Sequence, residues 1–100
     1  MLYEILSQDE QDEIIVSFLL AQERDQFCHE LNRTRYDAML LTLPEGKWKE
    51  QITELRAETL SRLNEVNTII EATKPQLPDA VRVNAAKDRI KAREAKTVVP

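Results

Sequence analysis

Catalysis and metal binding need side chains that converge, and this chain offers few. Cys28 and His29 form its one soft-ligand pair. Adjacent helical residues point about 100° apart, so the two do not share one ion. No second cysteine or histidine completes a ligand set. A cysteine nucleophile needs a base in reach, and His29 at the next position faces elsewhere. Cys28 therefore reads as a small packing residue beside Phe27 and Leu31. Carboxylates are abundant, but a di-iron bundle uses Glu-x-x-His on two helices, and Gln26 occupies that position before His29. The one glycine, Gly46, excludes the usual phosphate-cradling loops. These residues predict no enzyme, no cofactor, no metal and no small-molecule substrate.

What remains is charge and apolar surface. Residues 1–43 carry nine acids and three bases, residues 44–78 six and five, and residues 79–100 three and six. Asp9, Glu10, Asp12 and Glu13 form an acidic surface in a stretch of 23 residues that lacks any base. Arg82, Lys87, Arg89, Lys91, Arg93 and Lys96 form a basic one. The basic segment has no aromatic residues for stacking on single strands and the chain as a whole is net −4, so nucleic acid is disfavoured. Such polarity suits two solvated faces, or a basic segment meeting the acids of a neighbour.

The elements that position these residues follow from the breakers. Prolines occur at 44, 75, 78 and 100 only, so with Gly46 the interior is cut near 42–46 and near 75–78. The composition between the cuts favours helix. The predicted fold is all-α: a long antiparallel helical hairpin, about 8–43 and 45–74, plus a short basic helix at about 78–96 and a frayed tail from Thr97. We expect one helical domain over residues 1–100, with 1–6 as a docking arm and 79–100 as the basic helix and tail.

Ser7 and Glu10 read as a capping box, and the acids after Ser7 suit the positive end of a helix dipole. Thr42 and Glu45 read as a second box, with Pro44 in a first turn or, because glycine weakens a helix, a start at Lys47. In the first helix Ile14, Ile15, Val16, Phe18, Leu19 and Leu20 cover most of the circumference, which predicts burial on several sides. Leu20, Phe27, Leu31, Ala38 and Leu41 then form a heptad-like, coiled-coil seam, with Arg24 and Thr34 in its gaps. The polar run Gln22–Gln26 is the weakest part of this helix, and the sequence leaves open whether the helix kinks there or continues as an elongated hairpin. In the second helix Trp48, Ile52, Leu55, Leu63, Val66 and Ile70 make an amphipathic stripe. Trp48 is expected in the core against Met39 or Leu40.

A helix over 8–43 would measure roughly 54 Å. A compact domain of this length has a diameter of roughly 34 Å. Two helices also give little cover for the apolar belt at 14–21. The expected function is therefore non-enzymatic interaction or assembly, in a homo-oligomer or a larger protein complex. A small structural component or assembly factor of a viral particle would suit such a chain. The alternatives are a small acidic inhibitor that occludes a nucleic-acid-binding protein, and a helical regulator whose basic tail contacts nucleic acid. The longest apolar stretch is eight residues, too short to span a membrane, and residues 1–6 lack the basic start of a signal peptide. The lone cysteine gives no disulfide. Together these predict a cytoplasmic protein, or one in an assembled particle, that is not secreted through a signal peptide.

Overall fold

A computed structural model describes residues 5–98, with side-chain surroundings defined up to Lys96. The expected docking arm at 1–6 lies mostly outside the described residues. The chain folds into helices α1 (Gln8–Thr42), α2 (Lys47–Thr73) and α3 (Ala80–Val98), with a 3₁₀ turn at Lys74–Gln76. There is no strand among the described residues. The all-α hairpin with a shorter third helix is the predicted architecture.

Local chemistry sets most of the boundaries. The capping box at α1 forms on both sides: the Ser7 amide donates to Glu10 Oε1 at 3.2 Å, and the Glu10 amide donates to Ser7 Oγ at 3.1 Å. The helix then continues unbroken through Gln22–Gln26. The second box does not form. Thr42 instead ends α1, its hydroxyl donating to the Met39 carbonyl at 3.2 Å. Gly46 is the residue before α2, and its carbonyl accepts from the Glu50 amide at 3.1 Å. Its φ of 148° belongs to a region that side chains resist, which is why glycine stands there. With Gly46 at the cap, α2 starts at Lys47, the later of the two expected starts.

Helix α3 begins two residues later than the proline signal suggests. Asp79 is its N-cap: the Arg82 amide donates to Asp79 Oδ1 at 2.9 Å, and the Val83 amide to the Asp79 carbonyl at 2.9 Å. Pro78 thus precedes the cap, and the helix runs on to Val98, past the expected start of the tail.

The chain divides into two compact units. One comprises the described residues of Met1–Ala21 and Glu71–Pro100, the other Gln22–Ile70. The core of the first contains Val16 and Ala86, both fully buried, and Leu19. The core of the second is the α2 stripe: Ile52, Leu63, Val66 and Ile70 are each at most 7% exposed. With buried Thr59 and Thr73 they are spaced by seven, four, three, four and three, so one α2 face is inside.

Candidate interaction surfaces

In the first unit the acids of α1 meet the arginines of α3. Arg82, Arg89 and Arg93 are spaced by seven and four, which places them on one face of α3. Arg82 grips Asp12 with both prongs, Nε to Oδ2 at 2.9 Å and Nη2 to Oδ1 at 2.7 Å. Gln8 Nε2 donates a third bond to Asp12 Oδ1 at 2.9 Å. The Asp12 carboxylate is buried, and these bonds compensate for the water it gives up. The Arg82 hydrogen bonds hold its pKa below the ordinary carboxylate range, against the upward push of burial, with Gln8 and the charges of Arg82 and Arg89 assisting. The same bond raises the pKa of Arg82.

Glu13 accepts from Arg89 Nε at 3.3 Å and pairs with Arg93 through Oε1. Arg89 also lies 3.8 Å from Asp9 Oδ1. The four residues predicted as an acidic surface therefore have partners within the chain: three face arginines, and Glu10 serves the cap. The basic surface divides by residue type. Its three arginines engage α1, whereas Lys87, Lys91 and Lys96 are exposed. The guanidinium fork suits partly buried carboxylates, and the ammonium group stays hydrated.

The apolar belt of α1 is covered on one side only. Val16 and Leu19 are buried, Ile15 and Leu20 half-buried, and Ile14 and Phe18 close to half exposed. Ile14 and Leu6 line a shallow depression with Glu10, Glu13, Ser17 and Arg93.

In the second unit α1 and α2 run antiparallel and are tied by polar pairs. Gln26 Nε2 donates to Asn67 Oδ1 at 2.7 Å, and Arg56 pairs with Asp37. Both pairs have residue numbers that add to 93, as a constant antiparallel register requires. Arg33 adds bonds to Glu30 at 2.8 Å and to Asp37 at 3.4 Å, and Glu30 is the main cause of its raised pKa.

These pairs determine which side of α1 is left outside. Gln26 and Asp37 are eleven residues apart, three turns of helix, and so share a face. The heptad-like seam lies roughly a quarter turn from that face. Phe27 is 68% exposed, Leu31 40% and Leu41 87%, and Thr34 and Ala38 are also exposed. Trp48 is a correction: it is 73% exposed and outside the core. It stands in the first turn of α2, and the buried stripe begins one turn later at Ile52. Leu55, expected within the stripe, is 42% exposed on its edge.

Cys28 is exposed and His29 half-buried. Among the described residues no cluster of three or more histidine, cysteine, aspartate or glutamate side chains could hold a metal ion. No helix of the described residues is long and apolar enough to cross a membrane. Sequence reasoning found the charges but missed the pairing of Asp12 with Arg82 and the Asp79 cap. The spacing of 82, 89 and 93 was the available signal for the first, and Asp79 three residues before Arg82 for the second. Comparison with protein-family models, with curated proteins and with solved structures finds no match for this chain.

Proposed function

We propose that the chain is a non-enzymatic helical assembly protein, acting through helix packing in a homo-oligomer or a larger protein complex. The observation that carries this reading is the outward seam on α1. Phe27, Leu31 and Leu41 repeat at helical spacing, lie on one face and are exposed, Leu31 the least of them, while polar Gln26 and Asp37 face α2. Single exposed apolar residues are ordinary, but a periodic row of them on one face supports reading that face as a candidate contact surface. Burying that row removes apolar area from water, the main favourable term in association.

The acidic-inhibitor alternative has less support, because Asp9, Asp12 and Glu13 are already paired with arginines. The nucleic-acid alternative loses three of its six cations to the same pairs. An exposed, unpaired cysteine and the helical surfaces suit the cytoplasm or an assembled particle.

Sedimentation velocity from about 1 µM to about 1 mM tests the homo-oligomeric form. The expected result is a mass that rises above the 11.6 kDa monomer with concentration. A Leu31→Glu variant, carboxylate in place of an exposed apolar group, should remain monomeric with unchanged helix content. A wild-type chain that stays at 11.6 kDa throughout would reject this form.

A further inference from the structure

We infer that α1 pairs, parallel and in register, with α1 of a second copy of this chain through Phe27, Leu31, Thr34, Ala38 and Leu41. This rests on the assembly reading above and deepens it by naming the occupant and its orientation. The five residues are spaced by four, three, four and three. That alternation is the a/d pattern of a coiled coil, with Phe27, Thr34 and Leu41 at d and Leu31 and Ala38 at a. Thr34 fits an apolar layer because its hydroxyl is already satisfied, donating to the Glu30 carbonyl at 3.0 Å. The helix is formed before association, so no nucleation cost opposes pairing.

Charge selects the occupant and its direction. The positions flanking the seam are Glu30 and Asp37 at g, and Cys28 and Arg35 at e. In a parallel, in-register pair each g residue lies beside the e residue five places on in the other helix. Glu30 then meets Arg35 of the second copy, twice by symmetry. An antiparallel pair on the same layers brings g beside g, and Glu30 meets Asp37 of the second copy, again twice. The parallel arrangement gains two attractions where the antiparallel one gains two repulsions. The groups are placed for this. Arg35 is exposed and has no ion-pair partner among the described residues. Arg33 bonds to Glu30 through Oε2, and Oε1 can accept from a second donor. The contact is bounded by Arg24, which would meet its own copy one heptad earlier, and by the end of α1 at Thr42. Two heptads, roughly 21 Å of helix, make a weak dimer.

The test uses the full chain. Sedimentation equilibrium should give a monomer–dimer equilibrium with a midpoint on the order of tens of micromolar. Arg35→Glu should weaken it by about tenfold, because two exposed attractions become repulsions. Adding Glu30→Arg to that variant should restore the affinity to within about threefold. Leu41→Cys in a Cys28→Ser background should cross-link to its own copy with a short bis-maleimide. An antiparallel pair would hold those thiols about 25 Å apart. Circular dichroism confirms that each variant keeps its helices. A dimer that neither cross-links at residue 41 nor weakens in Arg35→Glu would overturn the parallel pairing and leave the assembly reading standing. A monomer at every concentration would overturn both the pairing and the homo-oligomeric reading.

Discussion

The two apolar rows of the second unit should respond differently to the same truncation. Leu63 is 6% exposed and belongs to the α2 stripe that forms the core. Leu63→Ala removes three carbons, about 2.4 kcal/mol of transfer free energy at about 0.8 kcal/mol each. The cavity left between helices that only partly relax raises the loss to about 3–4 kcal/mol. Phe27 is the larger side chain and would cost about 3–5 kcal/mol if fully buried. It is 68% exposed, so only about a third of that applies, roughly 1–1.5 kcal/mol. Alanine also returns up to about 0.5 kcal/mol of helix propensity there. Phe27→Ala should therefore cost the monomer about 0.5–1.5 kcal/mol. Urea unfolding followed by far-ultraviolet circular dichroism, at low micromolar concentration where self-association is negligible, measures both. A domain of this size shifts its Tm by about 4–8 °C per kcal/mol, so in a thermal melt Leu63→Ala should lose more than about 12 °C and Phe27→Ala no more than about half as much. Equal losses would mean that the seam packs inside the monomer and that α1 presents its other face to solvent. Association through that seam would then be refuted.

Three further outcomes follow. The folded-state pKa of Asp12 is depressed, so its pairing contributes stability that is present at neutral pH, begins to fall as the pH drops below the unfolded value and is gone below the folded one. Asp12→Asn should flatten acid unfolding below about pH 4, and a wild-type-like acid profile in that variant would count against the pair. Gly46→Ala should destabilise by about 1–3 kcal/mol, read from the urea midpoint, because φ is 148° and no neighbouring atom lies close enough for sterics to matter. Ala86→Leu should cost about 1–3 kcal/mol by overpacking a fully buried site, checked by thermal melting; a neutral result would show room beside α3.

Ser7 and Glu10 read correctly because a capping box depends on atoms three residues apart and on little else. Thr42 and Glu45 carry the same pattern and did not form one. Gly46 offered a backbone that a side chain resists, and the cap moved to it. The α2 stripe was legible because its period matches one buried face, but the period does not say where along the stripe cover begins. That is why Trp48 stands outside and Ile52 inside. The seam on α1 was legible as a row and not as a direction. Hydrophobic spacing shows that residues share a face, whereas the choice of face turned on contacts from Gln26 to Asn67 and from Asp37 to Arg56. Those residues lie 41 and 19 positions apart. Pairings at that separation leave no local trace. The same holds for Arg82 with Asp12, 70 positions apart.

The polar pairs of the second unit fix the orientation of α1 in a way that the apolar residues alone do not. Hydrophobic burial is non-directional, and it would favour α1 turning Phe27, Leu31 and Leu41 onto the α2 stripe. The helix instead presents Gln26 and Asp37 to α2, each hydrogen-bonded there. Breaking either bond by such a roll would strand a polar partner in a partly buried site, at the cost of a lost hydrogen bond or more. Two bonds three turns apart on one face resist rotation about the helix axis more strongly than either would alone. The outward seam is thus held outward by directional contacts. A row of apolar residues kept in solvent by that means is the surface on which the proposed pairing with a second copy rests.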